Sequence, residues 1–380
     1  MSNDRLIIAA AGSGKTTYIV KDSLLCEEDR VLITTFTEAN ESAIQGKYYK
    51  HYRCIPANVT IQTWFSFLIE HGVRPYQFWS EQVTGMELVT SRSGIKFVGK
   101  NGSVQWGEDE NFFKHYFNSH MQVYSDKLSK LVIRCNEKSN GAVIKRLERI
   151  YSSLYVDEVQ DMAGYDLELI KLLLGSQIKI MLVGDPRQVV YLTHHDQKNP
   201  KYNGKIQDFI TEKCGKLNCA IDNATLNKSY RNPQTICDLS SKLYPALPVC
   251  ESNKSEKAKD VLFFVNENDI LDYCKEINPV QLRLNSKDVR IIPNYPVYNF
   301  GDSKGMEFPH ILIFPTKDML AWISNPETVL ADTTRARFYV ALTRAMLTAA
   351  IVVPNDYIET ICGIYDWKSN NGDIYGGHCI

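Results

Sequence analysis

Six short segments carry residue types suited to phosphate chemistry, and they fall in one order along the chain. Ala9-Ala10-Ala11-Gly12-Ser13-Gly14-Lys15-Thr16 comes first, then Asp157-Glu158-Val159-Gln160-Asp161 and Gly184-Asp185-Pro186-Arg187-Gln188. Ser229-Tyr230-Arg231, Lys304-Gly305-Met306-Glu307-Phe308 and Val340-Ala341-Leu342-Thr343-Arg344 complete the series. The first segment reads as a strand-loop-helix phosphate loop with alanine in the first glycine position. Its small residues, Ala11, Gly12, Ser13 and Gly14, let backbone N–H groups approach phosphate oxygens beside a helix N-terminus. Lys15 is expected to bridge the β- and γ-phosphates of ATP, and Thr16, with Thr17 beside it, to place a hydroxyl on Mg²⁺.

Asp157 and Glu158 follow the apolar run Leu154-Tyr155-Val156, so both carboxylates emerge at a strand's C-terminal end, where open α/β sheets bind ligands. Asp157 is expected to hold Mg²⁺ through water, and Glu158 to take a proton from the attacking water. Gln188, a neutral amide shortly after the strand-like run Ile178–Val183, suits a sensor of the γ-phosphate. Arg231 and Arg344 are the informative pair: a guanidinium fork stabilises the charge of phosphoryl transfer by about 10³–10⁵-fold. Tyr230 is then placed to stack on adenine, and Glu307 to accept a ribose hydroxyl. One site would thus draw on both halves of the chain.

The elements that must position these residues alternate. Leu6–Ala11, Arg30–Phe36 and Val59–Gln62 read as strands, Lys15–Cys26 and Glu38–Tyr49 as helices. Such alternation implies right-handed βαβ crossovers and a parallel sheet covered on both faces. From Gly72 to Ser152 aromatic and polar residues mix, and helical spacing returns in Val123–Val132 and Val143–Ile150. Strands resume at Ser153–Val156 and Ile178–Val183, and a second α/β unit begins near Ala224. Its strands are expected at Val261–Val265, Val280–Leu284, Val289–Ile292, Ile311–Phe314 and Ala349–Val353. A helix starts near Pro233 and another spans Arg335–Ala345.

Composition bounds the partners. The 380 residues are 44% hydrophobic, enough for two cores, and a net charge of -1 gives no global basic field. Nucleic acid contact would have to come from a local groove. Ten cysteines without a CxxC pair read as reduced thiols in a cytosol. No opening secretion signal and no run of membrane-spanning length is found, so a soluble, cytoplasmic protein without a membrane partner is expected.

The sixfold series resembles the UvrD/Rep-like branch of superfamily 1 DNA helicases, from Leu6 to about Val353. The Asp-Glu-x-Gln-Asp box, the Gly-Asp-x-x-Gln box, the Tyr-Arg pair and the Val-Ala-Leu-Thr-Arg ending carry it jointly. Thr35-Phe36-Thr37 and Thr63-Trp64-Phe65-Ser66-Phe67 also look like that family's strand-contacting motifs. The resemblance implies two RecA-like parallel-sheet domains of the P-loop NTPase class. Residues 1–67 plus 153–222 would form the first, 68–152 a mostly helical insertion, and 223–380 the second. It further implies single-stranded DNA across their tops, 3′→5′ movement, and Phe36, Thr63, Ser66 and Tyr191 as residues touching the strand. Aromatic faces suit that task because they stack any base for about 1–3 kcal/mol.

Four departures from the family pattern shape the expectation. No glutamine precedes Ala9 to read adenine, and no tryptophan follows Gln188, where Tyr191 or His194 would have to serve. The interval from Arg231 to Lys304 lacks a large inserted domain, and only a short tail follows Arg344. A stripped motor that depends on a protein partner is expected. The leading reading is an ATP-dependent helicase or translocase. The other is a DNA-sensing regulatory ATPase that switches a partner nuclease, as compact UvrD-like subunits of phage-defence modules such as Gabija look to do. A small-molecule kinase is poorly served by two arginines in cis.

Overall fold

The computed structural model describes residues 4–25, 30–76, 94–98, 106–192, 198–254, 261–357, 361 and 363–368. The chain divides into two compact units. One comprises Met1–Ile8, Lys15–Pro186 and Tyr191–Asp222, the other Ala9–Gly14, Arg187–Val190 and Asn223–Ile380.

The first unit contains β1 (Arg5–Ile8), β2 (Val31–Thr35), β3 (Val59–Thr63), β4 (Ile95–Lys96), β5 (Val123–Tyr124), β6 (Ser153–Val156), β7 (Lys179–Gly184) and β8 (Ala220–Asp222). Six of them form one sheet in the order β3-β2-β6-β7-β1-β8, every pair parallel. The registers Val31↔Val59, Val31↔Ser153, Ser153↔Lys179 and Arg5↔Met181 align the strand starts, so the C-terminal ends form one edge. Near-continuous apolar runs such as Leu6-Ile7-Ile8 are what a sheet buried on both faces requires. The crossover helix Glu38–Tyr52 starts on Thr37, whose side chain accepts the Asn40 N–H, and stops where Arg53 turns left-handed at φ 66°.

Within residues 68–152 the described segments are mainly helical, with Leu128–Lys138 and Ala142–Ile150 burying Leu131, Val132, Val143 and Leu147. The helical spacing expected over Val123–Val132 is corrected at its start. Val123–Tyr124 is β5, paired parallel to β4, and the α-helix opens only at Leu128 after one tight turn.

The second unit holds a small parallel pair, β9 (Lys228–Ser229) and β10 (Glu251–Ser252). Its main sheet uses β11 (Leu262–Asn266), β12 (Val280–Arg283), β13 (Val297–Asn299), β14 (Phe308–Ile313), β15 (Ala345–Val353) and β16 (Tyr365–Asp366). The order is β13-β12-β14-β15-β11-β16, again all parallel. Helices Gln234–Lys242, Lys317–Ser324 and Asp332–Leu342 cover one face through Ile236, Trp322, Phe338 and Leu342. Each such side chain contributes about 1.5–3 kcal/mol on burial. Each unit is therefore a RecA-like parallel-sheet fold.

The strand expected at Val289–Ile292 does not form. Gln281 supplies the reason. Its side-chain amide donates to the Ile292 carbonyl and accepts the Ile292 N–H, both at 2.8 Å, which replaces a strand ladder. Residues Val297–Asn299 take the edge position instead. Among the described residues no helix is long and apolar enough to cross a membrane.

Candidate functional site

Lys15, Asp157 and Glu158 come together in the first unit. Lys15 opens the helix Lys15–Ser23, and its Nζ lies 3.9 Å from Glu158 Oε1. Asp157 and Glu158 follow β6 directly, and Asp157 Oδ1 accepts the Glu158 N–H at 2.9 Å. Glu158 takes a left-handed backbone, φ 55°, which costs a side-chain-bearing residue about 1–3 kcal/mol and persists where the surroundings over-determine it. Gln160 provides that surrounding. Its amide donates to the Glu158 carboxylate and accepts the Asp185 N–H at 3.0 Å, tying the end of β6 to the end of β7. Gly184 makes room, since a Cβ there would lie 2.4 Å from Gln160 Oε1. Thr16 sits half-buried one residue beyond Lys15.

The phosphate-loop residues Ala9–Gly14 belong to the second unit, and they are pinned there. Ala10 N–H donates to Leu226 O at 2.8 Å, and Tyr230 N–H donates to Gly12 O at 2.9 Å. Gly12 has φ 70°, and a Cβ on it would come within 2.5 Å of Arg231 Cβ and 2.7 Å of Ser229 Oγ. Only glycine fits that approach. Two further loop N–H groups are engaged: Ala11 donates to the Tyr339 hydroxyl at 3.3 Å and Ser13 to Ala10 O at 3.2 Å. Ser13 Oγ is buried without a hydrogen-bond partner among the described residues, an orphan that a phosphate oxygen would satisfy.

Both candidate arginines face this loop's unit from within. Arg231 Nε donates to Glu307 Oε2 at 3.0 Å and Nη1 to Thr343 O at 3.2 Å. Arg344 is 1% exposed. Its Nε donates to Val340 O at 3.0 Å, Nη1 to Met306 O at 3.0 Å, and Nη2 to Gln188 Oε1 and Thr343 Oγ1, both at 3.2 Å. Tyr230 is 63% exposed, and Glu307 is exposed in the short link between a turn and β14.

The strand-contact candidates lie at the C-terminal ends of β2 and β3, apart from Tyr191, which is exposed in the segment after Gln188. Phe36 is half-buried, its ring 5.5 Å from that of Phe65. Thr63 is buried; its hydroxyl caps the short helix Trp64–Phe67, accepting the Ser66 N–H at 3.2 Å and donating to Ser66 Oγ at 2.9 Å. Ser66 itself is exposed. His194 lies outside the described residues.

Residues 47–194 match the family of the UvrD/REP helicase N-terminal domain, a stretch that contains Asp157, Glu158, Gln188 and Tyr191. Over that stretch the chain is similar to UvrD/Rep helicases. Two solved structures are similar over 93% of it: arterivirus nonstructural protein 10 (helicase), at 16% identity, 60% of that chain and a TM-score of 0.46, and its complex with DNA, at 16% identity, 61% and 0.44. The chain thus spans about three-fifths of the length of those proteins. No curated protein matches it.

Several residues that hold these segments in place escaped the sequence reading. Gln160, inside the Asp-Glu-x-Gln-Asp box, is the strap behind Glu158. Tyr339 receives the Ala11 N–H, and its position one helical turn before Thr343 was the available signal. Asn232 donates to the carbonyls of Thr343 and Ala345, at 3.1 and 2.8 Å, and so joins the Tyr-Arg turn to the start of β15. Phe97, 67% exposed, adds a ring 5.7 Å from Phe65.

Proposed function

We propose that the chain is an ATP-dependent helicase or translocase acting on single-stranded DNA. The observation that carries this reading lies within the second unit. The loop backbone at Gly12 is packed on Arg231, while Gln188 accepts a hydrogen bond from Arg344, so loop, sensor and arginines form one connected group. Such a group is what hydrolysis coupled to movement needs, because loss of the γ-phosphate must be felt by residues distant in sequence.

In this reading Lys15 neutralises the β- and γ-phosphate oxygens, and the orphaned Ser13 hydroxyl meets a phosphate. Glu158, braced by Gln160, accepts the proton of the attacking water. Thr16 and Asp157 would hold Mg²⁺, which when bound offsets charge on the transferred group. Arg231 and Arg344 stabilise the equatorial oxygens in the transition state, Tyr230 stacks on the base, and Glu307 stands near the nucleotide. Phe36, Ser66 and Tyr191 offer the strand aromatic and hydroxyl contacts, with movement 3′→5′. The reading goes with work in the cytoplasm and with a nuclease subunit as protein partner.

The test is ATP hydrolysis by the purified chain across all four nucleotides, with and without single-stranded DNA, together with strand displacement from a 3′-tailed duplex. DNA-stimulated hydrolysis with displacement is the expected result. Hydrolysis indifferent to DNA overturns the motor reading. Stimulation with displacement only beside a partner favours the regulatory ATPase.

A further inference from the structure

Three residues, Met306-Glu307-Phe308, touch both arginines. The Met306 carbonyl accepts from Arg344 Nη1 at 3.0 Å, the Phe308 N–H donates to Arg344 O at 2.9 Å, and the Glu307 carboxylate accepts from Arg231 Nε at 3.0 Å. The Thr343 carbonyl holds Arg231 from a second side through Nη1, at 3.2 Å. Among the described residues, Nη2 of Arg231 donates to nothing. The Arg231 side chain is 15% exposed and that of Glu307 56%. One guanidinium therefore has two nitrogens fixed by its own unit and a third without such a bond, on a residue whose Cβ borders Gly12 of the phosphate loop.

We propose that Glu307 is a positioning residue for Arg231, fixing the guanidinium before the nucleotide arrives and leaving its Nη2 for the transferring phosphate. This rests on the reading of the chain as an ATPase. An arginine left mobile would have to be ordered during the reaction, whereas one braced in advance stabilises developing charge without that cost. The role differs from the ribose contact expected from sequence. A ribose acceptor acts on nucleotide affinity, while a brace acts on turnover through Arg231.

The experiment is a double-mutant cycle of Glu307→Ala and Arg231→Ala, measuring kcat and KM for ATP and for 2′-deoxy- and 3′-deoxy-ATP. Glu307→Ala is expected to lower kcat about 10²-fold, the scale of a misplaced catalytic group, with KM within about twofold. In the Arg231→Ala background the same change is expected to cost nothing further. Glu307→Gln, which keeps an acceptor for Nε, is expected to recover part of the loss. Additive effects, or a raised KM with collapsed discrimination between ATP and the deoxy nucleotides, overturn the proposal and restore the ribose role. Glu307 is exposed, so folding is checked simply by thermal unfolding. If Lys15→Ala leaves hydrolysis unchanged, the ATPase reading itself fails, an outcome separate from additivity in the cycle.

Discussion

Arg344 Nη2 donates to Gln188 Oε1 at 3.2 Å, joining residues 156 positions apart in one unit. Because Arg344 is buried and also bound to two backbone carbonyls, it is a structural tie as well as a candidate finger. Arg344→Ala removes these bonds from a charged donor, which contribute about 1.5–3 kcal/mol each, so both the thermal midpoint and kcat are expected to fall. Arg344→Lys keeps the charge but loses the fork, and is expected to recover stability better than turnover. A variant that folds normally and turns over at the native rate would refute the assignment.

Gly12→Ala places a methyl 2.5 Å from Arg231 Cβ on a left-handed backbone. The loop must shift or Arg231 must retreat. ATPase activity is expected to drop at least tenfold, with a loss of about 1–2 kcal/mol in unfolding free energy. Urea unfolding and steady-state kinetics on the same preparation check both.

Lys15→Ala and Glu158→Gln separate binding from chemistry. Both are expected to abolish turnover, but Glu158→Gln keeps the Lys15 charge and so retains bound ATP, whereas Lys15→Ala does not. Filter binding with radiolabelled ATP distinguishes them, and equal loss of binding in the two variants contradicts the role of Glu158 as base.

Phe36, Phe65 and Phe97 form a chain of rings, at 5.5 and 5.7 Å, that ends in the exposed ring of Phe97. Phe97→Ala removes one stacking face and is expected to weaken single-stranded DNA binding by about 1–3 kcal/mol. The salt dependence of binding should stay the same, since phosphate contacts set that slope. Fluorescence anisotropy over a salt series would measure both, and an altered slope at unchanged affinity counts against stacking.

Glu108 controls an acid response in the first unit. Burial alone would raise its carboxyl, but hydrogen bonds from Arg134, Lys130 and Tyr116 prevail and hold it down to about 2. A carboxylate with a lowered folded value contributes its full stability above the ordinary 4.5 and loses it as pH falls toward 2. Thermal midpoints are expected to decline over that window, and Glu108→Gln to flatten the decline. An identical pH profile for the variant would show that other groups govern it.

The candidate residues at strand ends were legible because a strand followed by a turn is a local pattern. Ile8 leads into the loop, and Val156 directly into Asp157. The edges of the sheets were not legible. β8 spans only Ala220–Asp222 and gains its place by pairing with β1, a contact no local window contains. Val289–Ile292 carried a strand-like composition, yet a single side chain, Gln281, took its backbone groups. Pairings such as Arg231 with Glu307, or Ala11 with Tyr339, depend on how distant segments meet, and so composition and spacing were silent about them.

β1 lies between β7 and β8, with Arg5 opposite both Met181 and Ala220. On a ribosome, β1 therefore waits for β7 until Lys179–Gly184 has been made and for β8 until Ala220–Asp222 has followed. Leu6, Ile7 and Ile8 stay without their hydrogen-bonding partners throughout that interval, a sticky apolar ribbon of the kind that invites aggregation or chaperone capture. Nascent chains truncated before Lys179 should be protease-sensitive around this strand, and those extended past Asp222 protected.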